Sequence, residues 1–231
     1  MSEGIFKSIR ITFYNYRFYL LLAALILNFF IPPLNYFPLV NILFKLMTIA
    51  ILLMSGANFI QKKKNQLRNF WFIFGVVNIV VAIFSELNPG NIFLASCRYI
   101  LLFAFFLVIT VNLLQQIFSI KEVTVEVIIG SFCGYLLLGI ISFFLFALID
   151  YSDHNAFSGL SDTFSDRVSQ LFYFTFICLN TIGFGDILPL STLSQKLAVF
   201  TACVGQFYIA VIVAILVSRF LNTSKNNNEV V

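Results

Sequence analysis

Long apolar runs broken by short polar or proline-bearing stretches set the pattern of this chain. Several runs of about 18 to 28 residues carry few or no charges, enough to cross about 30 Å of hydrocarbon at about 1.5 Å per residue. The pattern predicts six crossings, at 17–36, 38–60, 69–87, 91–118, 124–149 and 193–221. The breaks are chemically apt. Pro32, Pro33 and Pro38 stop and restart helices, Gln61-Lys62-Lys63-Lys64 is a charged loop, and Asn88-Pro89-Gly90-Asn91 is a tight turn. Between the fifth and sixth crossings lies a polar stretch, Asp150 to Asp166, and then a shorter apolar run ending at Asn180. The tail after residue 221, NTSKNNNEVV, is polar and reads as disordered.

Composition turns that pattern into a class. Hydrophobic residues make up 60% of the 231 and charged ones only 10%, far below the roughly quarter-charged usage of soluble domains. The expected fold is therefore an all-α integral membrane protein. The net charge of +4 comes largely from short basic clusters between the runs. No basic face on a folded domain is present, which argues against nucleic acid as a partner. Cys97, Cys133, Cys178 and Cys203 all fall within apolar segments without metal-ligand spacing, and read as small apolar fillers. The first 16 residues, with Lys7 and Arg10 among aromatics, resemble an interfacial segment feeding the first crossing. A cleaved leader fits poorly, because no small-residue cleavage site follows the first apolar run.

Lys and Arg placement orients the chain. Lys7, Arg10 and Arg17 flank the start, Lys62, Lys63, Lys64 and Arg68 fill the second loop, Lys121 precedes the fifth crossing, and Arg219 and Lys225 come last. The first and third loops hold neither residue. An even number of crossings then puts both termini in the cytoplasm, in a multi-pass protein of the plasma membrane. The stretch with Asp150, Asp153, Asp162 and Asp166 faces outside.

The run before Asn180 is the anomaly. Residues Arg167 to Asn180 form a helix of about 14 residues, about 21 Å and too short to span. Glycine-bearing irregular backbone follows it, which membranes tolerate only where it lines a wet cavity or is buried in protein. In Thr181-Ile182-Gly183-Phe184-Gly185, glycines two apart can take positive φ, which residues with a Cβ resist. Alternating such residues with ordinary ones turns successive carbonyl oxygens to one side. Four chains around an axis then make rings of oxygens that replace the hydration shell of a potassium ion. The Thr181 hydroxyl can add the lowest ring, and the negative C-terminal end of the short helix favours a cation beneath it.

TIGFGD resembles the TVGYGD signature of the pore-loop, tetrameric potassium channel family. The run FYFTFICLNTIGFGDILPLSTLSQKLAVFTACVGQFYIAVIVAILVSRF is similar to that family's pore helix, filter and inner helix, over roughly residues 126–221. The first 120 residues match in helix count and topology alone, in the manner of small bacterial six-helix members. The resemblance implies a homotetramer around a central pore, with potassium ions as the only bound species and no cofactor. It implies an N-terminal four-helix domain at 1–120, a pore domain at 121–221 with its pore helix at 168–180 and its filter at 181–185, and the tail at 222–231. On that resemblance potassium would sit at the carbonyls of Thr181, Ile182, Gly183 and Phe184, with Gly185 completing the filter and Asp186 at the outer mouth.

Some positions depart from the family pattern. Phe184 replaces tyrosine, and Phe174 stands where many members have a tryptophan that bonds it, so the cuff should be apolar. Ile177 occupies a position that is acidic in some members. Tyr173 remains and can donate to Asp186, and Asn180 replaces a common threonine below the lowest ring. In the sixth crossing Gly205 marks either a hinge or a site of close packing. Helical spacing from there puts Gln206, Ile209, Val213 and Val217 on one stripe facing the cavity, with Val213 or Val217 as an apolar gate. Gly130 and Gly134, spaced G-x-x-x-G, read as packing against the sixth crossing.

A voltage sensor needs Arg or Lys at every third position of the fourth crossing. Stepping from Arg98 gives Leu101, Ala104, Leu107 and Thr110, so one charge stands alone. Crossing the whole field it would contribute about 2.3 kcal/mol per 100 mV, a third or less of a true sensor. Lys45, Glu86 and Arg98 read instead as a structural cluster, Glu86 pairing with Arg98 or Lys45. His154, the only histidine, lies in the outer segment and offers a site for external pH. Together these readings describe a channel rather than an enzyme, since no convergent His, Cys or carboxylate set is present. A non-selective cation channel, a potassium transporter and a non-conducting modulatory subunit are the alternatives. A transporter would be expected to show internal repeats, and one pore loop stands here without any.

Overall fold

The computed structural model of the chain describes residues 16–30, 65–87, 92–120 and 123–228. These form six helices, α1 Arg17–Phe30, α2 Asn65–Leu87, α3 Ile92–Ser119, α4 Val125–Ser152, α5 Phe164–Leu179 and α6 Thr192–Asn228. Two short strands, β1 Phe157–Ser158 and β2 Leu188–Pro189, pair antiparallel. The described residues are thus mostly helical, and among them three stretches are long and apolar enough to cross a membrane: Ser96–Ser119, Val125–Ser152 and Thr192–Arg219. Arg17–Leu27 and Ile73–Ser85 are shorter apolar helices. The crossing expected at 38–60 lies outside the described residues.

The core forms where α4 meets α1 and α3. Phe105, Ile109, Leu113 and Ile117 recur every four residues and make one buried stripe on α3. Phe18, Leu21 and Leu25, at steps of three and four, make the matching stripe on α1, and both stripes close on α4 around Val127, Cys133, Leu137 and Phe144. Helix α3 packs most extensively on α4, and α2 in turn covers α3. From Cys133 to Tyr151 no residue of α4 is exposed, because its other side receives α5 and α6.

Polar ties hold the two ends of this bundle. At one end Arg17 Nε donates to Gln116 Oε1 at 3.2 Å. There Arg219 of α6 donates to the carbonyls of Ile117 (3.0 Å), Phe118 (2.9 Å) and Ile120, capping the C-terminal end of α3. At the other end Arg167 bridges α5 to the last turn of α4.

Several bounds differ from expectation. Helix α5 begins at Phe164 and ends at Leu179, with Asn180 as its cap rather than its last residue. Its 16 residues reach about 24 Å, still short of a full crossing. Helix α6 runs on through Asn228, so residues 222–228 continue the helix where a disordered tail was expected. Gly130 does not face α6. A Cβ there would meet the Phe18 ring of α1 at 3.0 Å and Ile117 at 3.5 Å, so α1 claims that side of α4. Gly134, one turn on, does face α6 and lies against the Tyr208 hydroxyl.

Candidate ion-conducting site

The loop after α5 is built on a helix-ending motif. The Ile182 amide donates to the Ile177 carbonyl at 2.8 Å and the Thr181 amide to Cys178 at 2.9 Å. That is the paired bonding of a Schellman cap, whose left-handed position falls on Thr181 with φ of 56°. Glycine usually takes this place, and an ordinary residue loses about 1–2 kcal/mol there. Gly183 (φ 57°) and Gly185 (φ 79°) follow, so left-handed backbone recurs at every second residue. The sequence pointed to the two glycines, and propensity argued against threonine joining them. The distant signal was positional, since Thr181 stands two residues before Gly183 just as Gly185 stands two after.

Both glycines are needed for conformation and not for room. A Cβ at Gly183 or Gly185 meets nothing within 4 Å in the subunit. Residues 181–186 are all exposed in a lone subunit, Phe184 at 69% and Ile182 at 53%.

Support comes from three directions. Below the loop, Asn180 Nδ2 donates to Phe176 O at 2.8 Å, and its Oδ1 accepts from the Tyr135 hydroxyl of α4 at 2.9 Å. From α6, Gln206 Nε2 donates to Thr181 Oγ1 at 3.1 Å. Gly205 is buried with its Cα against the Leu179 carbonyl, and a Cβ there would collide with that backbone oxygen. Between the hinge and packing readings of Gly205, this contact favours packing. From outside, the Asp186 side chain lies near the Tyr173 hydroxyl, and Gly159, at φ 82°, lets its segment approach the Asp186 carbonyl.

The outer segment is clamped onto this frame. Arg167 reaches Asp150 with two bonds, Nε to Oδ2 at 2.7 Å and Nη2 to Oδ1 at 2.6 Å, and also donates to His154 O at 2.7 Å. Side-chain exposures of 14% and 8% make this a largely desolvated, bidentate pair. The bonds from Asp150 push the Arg167 guanidinium above its ordinary value, against a lowering by burial. This pair went unread in the sequence. Its signal was available, because Arg167 is the only Lys or Arg between Lys121 and Lys196, and Asp150 is an acid ending a long uncharged run. The Ala156 carbonyl then gathers Leu190 N (2.8 Å), Ser191 N and Ser194 Oγ (3.0 Å), fastening the segment to the start of α6.

Other expected residues fall as follows. Phe174 is buried and makes edge-on contacts with Phe146 and Phe157, at 5.2 and 5.6 Å between centroids. Its ring therefore braces α5 against α4 and β1. Gln206, Ile209, Val213 and Val217 all lie on the exposed side of α6, as one stripe. Arg98 is half-buried on α3. Lys45 and the Glu86 side chain lie outside the described residues, and the expected charge cluster with them. His154 is exposed, with Tyr151 edge-on at 6.5 Å.

Residues 123–222 match the model of a protein family described as "Ion channel". No curated protein and no solved structure matches the chain. The matched segment takes in α4, α5, the loop and α6 up to residue 222, and with the long apolar helices it makes this a membrane protein carrying an ion-channel domain.

Proposed function

We propose that this ion-channel domain, residues 123–222, works as a homotetrameric potassium-selective pore conducting passively across the plasma membrane. The observation that carries the reading is left-handed backbone at Thr181, Gly183 and Gly185, directly after a half-length helix. With the handedness reversing at each residue, successive carbonyls turn to the same side and successive side chains to the other. The oxygens of Thr181, Ile182, Gly183 and Phe184 then form the ladder that replaces an ion's hydration shell, and Gly185 and Asp186 open it to the outside. One chain supplies one ladder, so four copies close the rings. They also cover Ile182 and Phe184, which a lone subunit leaves exposed.

Ions leaving the ladder enter a cavity lined by Gln206, Ile209, Val213 and Val217, with Val213 or Val217 as the dewetting constriction. The C-terminal end of α5 aims its partial negative charge at the cavity. Both termini are cytoplasmic in this reading. Arg17, Gln116 and Arg219 gather at one end of the bundle and the acid-bearing segment at the other, which fits a positive inner end. With Arg98 alone on its step of three, voltage sensitivity is weak.

A second reading, a non-selective cation channel, draws on Phe184, which lacks the hydroxyl that would tie the ladder to its cuff. Two measurements decide. Native mass spectrometry gives four copies if the reading is right. A bi-ionic potassium–sodium gradient across a planar bilayer gives a reversal potential far on the potassium side. A reversal near zero overturns selectivity and leaves the non-selective channel.

A further inference from the structure

Within the loop, Thr181 is the costly choice. It is β-branched and left-handed, at the cap position where glycine costs least. Packing does not explain it, because Thr181 is exposed in the subunit. What threonine adds over glycine is a hydroxyl, and that hydroxyl has a partner. Gln206 Nε2 donates to Thr181 Oγ1 at 3.1 Å. The donor's position is itself arranged. Gly205, the residue before it, rests against the Leu179 carbonyl with no room for a Cβ, and so brings α6 close enough for the Gln206 amide to arrive. On the other side Asn180 is tied to Phe176 O and to Tyr135, so the backbone entering Thr181 is held from α4.

A threonine hydroxyl offers two acceptor lone pairs and one proton. An amide N–H donating into the oxygen takes one lone pair, turns the hydroxyl proton aside, and leaves the second lone pair in a fixed direction. We propose that Gln206 is a positioning residue that orients the Thr181 hydroxyl and thereby sets ion preference at the inner end of the loop. This rests on the potassium-pore reading and adds to it. Gln206 then acts through Thr181 and not merely as a polar group in the cavity wall.

The test is a double-mutant cycle on the full-length tetramer. Gln206→Met keeps the length and removes the donor; Thr181→Val keeps the branched shape and removes the acceptor. The readout is the potassium-to-sodium permeability ratio from bi-ionic reversal potentials, alongside oligomer size. Q206M lowers the ratio about fivefold, the scale of one lost neutral hydrogen bond, with the tetramer intact. In the T181V background Q206M has no further effect. Should Q206M fail to assemble, Gln206→Asn, which keeps the amide but falls short by one methylene, lowers the ratio in the same way. A selective wild type whose ratio neither variant changes overturns the proposal, as do effects of Q206M and T181V that simply add. A wild type passing both ions equally overturns the pore reading, and the proposal with it.

Discussion

Helices α4 and α6 are near twins by composition and opposites in placement. Each offers a 28-residue span, of mean hydropathy 2.5 and 2.3, yet within the 18-residue apolar window of each, 56% of the first is buried within the subunit and 11% of the second. Hydropathy reports what a helix tolerates around it, not which neighbour it has. Helix α4 is surrounded by α1, α3, α5 and α6, and its glycines accept their rings and hydroxyls. Helix α6 meets its own subunit along one side only, through residues such as Ser194, Gly205, Gln206, Tyr208, Ile212 and Arg219. It leaves Val199, Phe200 and Phe207 more than 60% exposed. The first is a core element of one chain; the second leaves most of its apolar surface open in the lone subunit, a surface that lipid and other copies would cover in the tetramer proposed above.

Placing a carboxylate on each helix tests that contrast most severely. Leu137→Asp buries an uncompensated charge among α1, α3 and α4 side chains, so the subunit fails to fold and is digested by limited proteolysis. Phe207→Asp, 73% exposed in the lone subunit, leaves the proteolytic pattern unchanged and shifts native mass from tetramer to smaller species. A protease-sensitive F207D would mean that α6 belongs to the subunit core after all.

Next come the glycines that join the two helices. Gly205→Ala drives a methyl into the Leu179 backbone carbonyl, which no rotamer change relieves, and costs about 3 kcal/mol or more in thermal or denaturant unfolding. Gly134→Ala crowds the end of the Tyr208 side chain and meets Leu114 at an ordinary 3.6 Å. Its cost is about 1 kcal/mol, mainly the Tyr208 bond to Ser131 O at 2.7 Å. Equal costs at the two sites would contradict the rigid contact at Leu179.

Between these in size stands the outer tie of α4. Asp150→Asn leaves the Arg167 guanidinium largely desolvated beside a neutral amide and destabilises by about 2–3 kcal/mol. Arg167→Gln added to it recovers part of the loss, as coupled partners do. Additive losses would show that the pair is not a unit. The smallest effect is chemical. Cys133 on α4 is buried and resists maleimide, whereas exposed Cys203 on α6 reacts in dissociated subunits. Unfolding is needed to expose the first thiol and none to expose the second in a lone subunit.

What could be read from sequence follows the same line. The described helices near 17, 69, 91, 124 and 193 were readable, because unbroken apolar length sets them. The half-length α5 and the glycine spacing were readable because both are local. Contacts between helices were not. Gly130 and Gly134 share a motif yet face α1 and α6 respectively, a choice made by which neighbouring helix packs on each side of α4. Gly205 read equally well as a hinge until the Leu179 carbonyl was seen against it. The Asp150–Arg167 tie spans the outer segment and needed the fold to bring its ends together. Thr181 is the sharpest case, since propensity argues against a left-handed threonine and a Schellman cap imposes one.

The central claim is that alternating handedness in residues 181–185, and not glycine's small size, makes the conducting ladder. Gly183 separates the two, because a Cβ there meets nothing within 4 Å in its subunit while its φ is 57°. Semisynthetic protein carrying D-alanine or L-alanine at position 183, reconstituted in liposomes, should be assayed for potassium and sodium flux. The account predicts that D-alanine, at ease with positive φ, preserves potassium-selective flux, and that L-alanine abolishes it. Equal potassium-selective flux through both proteins would contradict it.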